Sequence, residues 1–398
     1  MNKNIFIVLL LFLLNVKSFS QIDGTDNIVG KTFLIQSQVL NNEREIQVFL
    51  PDSYTESDKK YPVLCILDGQ RYFLHGVSLQ KSFVGFRHSP EFIIVGISKK
   101  QSDRNRYYSI DSKKYLDFIE NETLRFIDDK FRTSKERLIF GWAYGGGLVI
   151  QTMTTHPDLF DTYIAASPFP LDEKINKVDS LLLKNPHFDK LLYFTSGTDE
   201  GVVRKGTDKL NALLTNKAPK TMNWIFRELE GEQHRSTPFT TLYHGIKKHY
   251  HYYPELQFSS LEEFTKAGGL NYVYGYYEQR AKRFGFSSDL TSWTMFTLTR
   301  NAMRANDYDQ FDTFVNEFKK TKFLGEIRVS RACSIAEFYL KNKQYDKSIA
   351  LFKYLTGKYP NSEIPLNGLG DAYKELKKER TASKYYQRAK ELSENNNN

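Results

Sequence analysis

From Lys31 to about Tyr253 the chain alternates between two hydrophobic periods. Phe33-Leu-Ile-Gln-Ser37 and Arg44-Glu-Ile-Gln-Val-Phe-Leu50 switch between apolar and polar positions, as antiparallel strands with one solvated face do. Pro51-Asp-Ser-Tyr54 then reads as a turn. The next runs, Tyr61–Leu67, Phe92–Ile97, Arg137–Phe140, Asp161–Ala166 and Lys190–Thr195, are apolar almost throughout. Strands buried on both faces have that composition, and they belong to a parallel sheet covered by helices. Between them, Lys113 to Phe131 carries Tyr115, Phe118, Ile119, Leu124 and Ile127 at helical spacing. This alternation predicts an α/β sheet with flanking helices.

After Pro254 the strand pattern disappears, and from Ser260 onward the chain reads as helix. Two segments there repeat with a period of 34: Tyr339 matches Tyr373, Ser348 matches Ala382, and Phe352 matches Tyr386. Leu369-Gly370-Asp-Ala372-Tyr373 resembles the first helix of a tetratricopeptide repeat, and Ala382, Tyr386 and Ala389 resemble the second. A worn third unit runs from Phe296 through Tyr308 to Phe318. The Asn-rich end, Glu394 to Asn398, is expected to be disordered. The predicted organisation is a leader over residues 1–20, an α/β domain over 21–258 and an all-α helical-repeat domain over 259–398.

The leader assignment rests on a basic start at Lys3, an apolar run from Ile5 to Leu14, and small residues at Ser18 and Ser20 before Gln21. That is the layout of a secretory signal peptide cleaved after Ser20, with an apolar core too short to span a bilayer of ~30 Å. No cysteine stands at the cleavage point, which argues against a lipid anchor. Export to the periplasm or beyond the cell is the expectation, with no membrane span.

Composition removes several function classes. Of 398 residues, 40% are hydrophobic and 26% charged, which excludes wholesale disorder. The net charge of +9 is spread out, with no basic run or RNA-reading motif, so nucleic acid is not the expected partner. The 2 cysteines, Cys65 and Cys333, rule out a disulfide scaffold or a cysteine-built zinc site. His244, His249 and His251 cluster without a spaced carboxylate, so no metal or other cofactor is expected.

The sharpest motif is Leu138-Ile-Phe140-Gly141-Trp142-Ala143-Tyr144-Gly145-Gly146-Gly147. A strand enters a turn with glycine at its first and fifth positions, and a helix follows, which is the arrangement of a nucleophile elbow, Gly-x-Ser-x-Gly. The residue thrust into the cleft is here Ala143. No Lys-Ser/Thr pair follows the glycines, so they read as elbow packing and not as a phosphate loop. Downstream, Ser196-Gly-Thr-Asp199-Glu200 offers two carboxylates at a strand end, and Glu232-Gln-His234 places a histidine in a loop after the strand Trp224–Glu228. A carboxylate at one strand end and a loop histidine after the next can meet above the sheet as orienting acid and general base.

These residues resemble the putative-esterase (esterase D-like) family of α/β-hydrolases, which includes siderophore esterases, feruloyl esterases, S-formylglutathione hydrolases and mycolyltransferases. The resemblance covers residues of about 30 to 252. It rests on Tyr61-Pro-Val-Leu with Leu67-Asp68-Gly69, Val95-Gly96-Ile97 followed by Arg104 and Arg106-Tyr, and the elbow. His156-Pro157-Asp158-Leu159-Phe160-Asp161, Ala166-Ser167-Pro168 and Glu232-Gln-His234 complete it. It implies an acyl-ester hydrolase acting on a small-molecule ester or acyl conjugate. Ala143 then stands at the nucleophile position, Glu200 is the acid with Asp199 as second choice, and His234 is the base. The amides of Gln70 and Tyr144 make the oxyanion hole. Arg71, Trp142 and Arg106 flank the predicted cleft, where they suit an acidic or aromatic acyl group, and a structural ion pair is an equal reading of Arg106.

Without the serine such an enzyme loses roughly six orders of magnitude in turnover. Ser167 and Ser196 lie in other loops, and Cys65 in a strand, so none replaces it. An engineered Ser-to-Ala change and a natural pseudo-esterase fit the sequence equally. A rival reading is a non-catalytic scaffold that docks a protein partner through its helical repeats.

Overall fold

A computed structural model describes residues 25–98, 103–318 and 323–396. The expected leader, 1–20, lies outside them. The chain forms two compact units, residues 1–78 with 92–239, and residues 79–91 with 240–398.

The first unit is built on one sheet of eight strands in the order β1-β2-β4-β3-β5-β6-β7-β8. They are β1 (Lys31–Ser37), β2 (Asn42–Phe49), β3 (Tyr61–Leu67), β4 (Ile93–Ile97), β5 (Thr133–Trp142), β6 (Thr162–Ala166), β7 (Leu191–Gly197) and β8 (Asn223–Leu229). β1 and β2 pair antiparallel, as their alternating pattern requires, and β2 meets β4 antiparallel. All later pairs are parallel, with Cys65 opposite Val95 on one side and Ile139 on the other. In β3, Val63, Leu64, Cys65, Ile66 and Leu67 are fully buried. A strand without a solvent face needs helices on both sides. The helices along this stretch are α1 (Gly69–Gly85), α2 (Ser112–Phe118), α3 (Arg125–Lys130), α4 (Tyr144–Thr155), α5 (Asp172–Lys184), α6 (Val202–Lys217) and α7 (Thr237–His249), with α1 from Leu79 and α7 from Thr240 falling in the second unit.

One expected helix differs in detail. Between α2 and α3, Ile119–Leu124 widens into a π turn, with Ile119, Thr123 and Leu124 all buried. Such a turn holds an extra residue per revolution and so keeps closely spaced positions on the core side.

The second unit is helical: α8 (Leu261–Ala267), α9 (Gly269–Phe284), α10 (Ser292–Arg304), α11 (Tyr308–Phe318), α12 (Val329–Lys341), α13 (Tyr345–Lys358), α14 (Ile364–Glu375) and α15 (Glu379–Asn396). The last six form three hairpins, each turned by a left-handed residue: Asn306 (φ 53°), Lys343 (φ 59°) and Lys377 (φ 56°). Each turn closes with the same bond, Asp307 N–H to Ala302 O, Gln344 N–H to Tyr339 O, and Lys378 N–H to Tyr373 O. The matched small residues Ser348 and Ala382 are buried, so paired helices approach closely. Gly368 permits the same between hairpins, because a Cβ there would sit 2.2 Å from the Phe352 ring.

Two boundaries depart from expectation. Residues 240–258 group with the helical unit, and so does 79–91, where the Phe83 and Tyr243 rings meet at 5.3 Å. Glu394 to Asn396 complete α15 where disorder was expected. No glycine or proline stops the helix there, and Lys390 pairs with Glu394 one turn on. Residues 397–398 lie outside the described residues.

Candidate active site

Three neighbouring strands of the sheet end in left-handed residues that are not glycine. Asp68 follows β3 (φ 57°), Ala143 follows β5 (φ 53°) and Ser167 follows β6 (φ 43°). Such backbones cost of order 1–3 kcal/mol each and persist only where their surroundings fix them. At Ala143 (ψ −118°) the surroundings are hydrogen bonds. Its N–H donates to Ala166 O at 3.0 Å, and its carbonyl accepts from Gly147 N–H at 2.9 Å and Phe169 N–H at 3.0 Å. The first elbow glycine is sterically obligatory, because a Cβ on Gly141 would lie 2.4 Å from Gly145 O. Gly146 and Gly147 pack just as closely on the Ala166 and Phe169 carbonyls, so the glycine run is occupied by packing.

Asp68 is buried and answered on three sides. Arg104 Nη2 donates to Oδ2 at 2.7 Å and Nε to the same carboxylate at 3.1 Å, while the Tyr108 hydroxyl bonds Oδ1 at 3.3 Å. Arg104 Nη2 also donates to Trp142 O at 3.1 Å, so the ion pair ties the end of β3 to the elbow. Removing one partner of a buried pair like this costs about 3–5 kcal/mol.

The acid and the histidine come together. Glu200, just before α6, has a side chain only 2% exposed, and its Oε2 lies 3.5 Å from His234 Nδ1. That is ion-pair range, longer than a hydrogen bond of about 2.7–3.2 Å. Oε1 accepts from Ser167 Oγ at 2.8 Å, and Ser167 Oγ also meets Thr237 Oγ1 at 2.7 Å. Thr237 Oγ1 donates to His234 O at 3.2 Å, and Trp142 Nε1 donates to the same carbonyl at 2.7 Å. The histidine loop is thus pinned from both the acid side and the elbow side. Asp199, the second choice, is exposed.

Two cavities open on this arrangement. One, of about 900 Å³, is lined by Asp199, Glu200, Val203, Glu232 and His234 among others. The second, of about 540 Å³, is lined by Arg71, Tyr72, Arg104, Trp142, Arg235 and Phe239. Trp142 is the wall of the second cavity: its ring lies 4.9 Å from His234 and 4.8 Å from the Arg104 guanidinium. Burial and the Asp68 charge push the Tyr72 phenol well up, so it stays a protonated donor at ordinary pH. Gln70 lies in the first turn of α1 and Tyr144 in the first turn of α4, whose ring packs edge-on against Phe169 at 5.5 Å.

Arg106 stands apart from this cleft. Its Nε pairs with Asp111 at 2.7 Å, its side chain is 61% exposed, and it lines neither cavity. The guanidiniums that do line one are Arg71, Arg104 and Arg235. Sequence reasoning passed over Ser167 and Arg235, although Ser167 lies in a quoted motif and Arg235 is the neighbour of His234. Among the clustered histidines, His249 Nε2 meets Arg283 Nη2 at 3.1 Å, and His251 packs on Tyr252 and Tyr276.

Comparisons with known proteins agree with this architecture. An IroE-like serine hydrolase from Shewanella oneidensis superposes with a TM-score of 0.53 at 22% identity, covering 72% of this chain and 98% of its own. An uncharacterised protein from Capnocytophaga ochracea gives 0.55 at 17% identity, covering 90% of this chain and 93% of its own. A curated relative, the uncharacterised YbbA of Bacillus subtilis, is 23% identical over 133 residues, and the match spans about half (53%) of that protein and 29% of this one. The family described as "Putative esterase" matches residues 37–263, more than half of the chain. With its sheet order and elbow, the chain belongs to that esterase family and has the α/β-hydrolase fold.

Proposed function

We propose that the first unit is a carboxylic-ester hydrolase by lineage whose nucleophile position is held by Ala143, leaving it nearly inactive in that reaction. The observation that carries this reading is the strained apex at Ala143, retained beside a paired Glu200 and His234. A left-handed apex costs energy that an alanine has no evident use for, whereas a serine there would present its oxygen to the cleft. With serine in place, its oxygen attacks the ester carbonyl, and His234 takes the proton and returns it to the leaving alcohol. Glu200 holds the imidazole in the tautomer this needs, and the Gln70 and Tyr144 amides receive the oxyanion. The substrate is a small-molecule ester or acyl conjugate whose acyl group meets Trp142 and the arginines of the smaller cavity.

A pseudo-esterase that binds such a ligand without turning it over is the second reading. It is favoured by the two open cavities, since neither Trp142 nor Tyr144 fills the cleft. The helical unit supports a tetratricopeptide-like role in docking a protein partner, through three hairpins that share one turn. The leader supports export after cleavage at Ser20.

The test is a paired assay of this chain and Ala143→Ser on short p-nitrophenyl, feruloyl and catechol esters. We expect the serine version to exceed the alanine version by at least about three orders of magnitude. Silence of both on every ester would remove the hydrolase reading and leave the binding one.

A further inference from the structure

The helical unit carries a charge cluster unconnected with ester chemistry. Arg300 and Arg304 lie one turn apart on α10, and Arg331 lies in the first turn of α12. Arg300 and Arg331 share the same two rings. Arg331 sits 4.6 Å from the Trp293 centroid and 5.6 Å from Phe296, and Arg300 sits 5.8 Å and 5.7 Å from them. Among the described residues none of the three guanidiniums has an ion-pair or side-chain hydrogen-bond partner, and Arg300 Nε is a buried donor without an acceptor. Burial, then repulsion from Arg304 and Arg331, lowers the Arg300 pKa, so the group is held at an energetic disadvantage.

Stacking on Trp293 accounts for Arg331. It does not account for Arg300, which is further from both rings and leaves a donor unmet. Hairpin architecture does not demand the arginine either. The residue six places before each left-handed turn is Arg300, Glu337 or Asp371, so the same structural position is acidic in the two later hairpins. There the acids line a cavity of about 500 Å³ together with Lys341 and Lys374. At the first hairpin, among the described residues, no carboxylate pairs with the arginines.

We infer that Arg300, Arg304 and Arg331 form an oxyanion site, built to take a phosphate group or two neighbouring carboxylates. Planar guanidinium forks match both groups with paired hydrogen bonds, and an anion between them would turn their mutual repulsion into attraction. Trp293 provides a rigid wall that holds the Arg331 fork in place before the ligand arrives.

Isothermal titration calorimetry of the full chain in low salt tests this, with inorganic phosphate as one probe and tetraglutamate peptide as the other. Binding of phosphate alone identifies a small anion as the ligand. Binding of tetraglutamate, with or without phosphate, identifies a carboxylate-bearing segment. In either case affinity should fall at least tenfold in the Arg300→Gln/Arg331→Gln double variant and stay unchanged in Arg71→Gln/Arg235→Gln, which removes arginines of the other unit. Arg304→Glu, exposed at the end of α10 and outside the packing, gives a second variant that should weaken binding about as much. Absence of heat with both probes overturns the inference, as does binding that survives R300Q/R331Q and R304E or is lost in R71Q/R235Q.

Discussion

Ser167 Oγ donates to Glu200 Oε1 at 2.8 Å, and this bond leaves Oε2 as the oxygen that faces His234 Nδ1. Ser167 is fully buried at the end of β6, on a left-handed backbone that aims its hydroxyl across to the neighbouring strand end. It is a positioning residue: it lines neither cavity, yet it sets which carboxylate oxygen the histidine meets.

In the Ala143→Ser background, Ser167→Ala should therefore lower kcat by roughly 10- to 100-fold with little change in KM, as expected for a lost hydrogen bond to a charged group of about 1.5–3 kcal/mol. A double-mutant cycle with Glu200→Ala separates positioning from mere packing. The Ser167→Ala cost should vanish once Glu200 is gone. An equal cost in both backgrounds would show that Ser167 acts on stability alone.

The sheet was legible from the sequence because β3 to β7 leave apolar runs, β1 and β2 alternate between apolar and polar positions, and Trp224–Glu228 marks β8. The elbow was legible because two glycines at fixed spacing mark a close approach; strand ends offered the Asp199/Glu200 pair and the loop His234, and the family resemblance put Glu200 first. What escaped is what irregular backbone decides. Arg106 fitted a cleft residue and a structural ion-pair partner equally, because residues 103–111 offer no regular period to read. The buried Asp68 instead draws in Arg104, and the π turn Arg106–Ile110 directs Arg106 towards Asp111. The unit boundary at 239/240 escaped because α7 carries one helical pattern straight through it.

The elbow glycine makes a direct stability prediction. Gly141→Ala would set a Cβ 2.4 Å from the Gly145 carbonyl oxygen, with Gly141 held in β5 and Gly145 in α4. Neither can move cheaply, so we expect a loss of about 3 kcal/mol or more, seen as a lower Tm or as insoluble protein. Gly275→Ala, on α9 with open space at the Cβ, should leave the Tm unchanged or slightly raised and serves as the reference.

The two thiols should be silent in the native protein. Cys65 and Cys333 are fully buried, and burial pushes each thiol from 9.0 up to about 12. At pH 8 neither should react with Ellman's reagent until the chain unfolds, and both should then react. The linkage has a definite sign. Between 9.0 and about 12 the folded state keeps protons that the unfolded state releases, so stability falls as pH rises through that window. The buried tyrosines Tyr108, Tyr115 and Tyr163, also pushed up by burial, act in the same direction. Prompt native-state labelling of Cys65 would instead indicate an open path to β3.

The hairpin turns provide the last prediction. Lys343 and Lys377 occupy the same left-handed turn position, both carry a Cβ there, and Lys343 is solvent-exposed. A left-handed backbone costs an L-residue roughly 1–2 kcal/mol, and glycine removes that cost while giving back part of it through the greater freedom of the unfolded chain. The net expectation for Lys343→Gly or Lys377→Gly is a gain of up to about 1 kcal/mol, because the closing bonds from Gln344 and Lys378 do not involve the replaced side chain. The two sites share no partner in that turn, so the effects should add in the double variant, which thermal and urea unfolding can measure. Lys343→Val should move the other way, since a β-branched residue fits this backbone worst of all. If glycine destabilised both turns, the lysine side chains would have to be holding the hairpins in a way their exposed positions give no sign of.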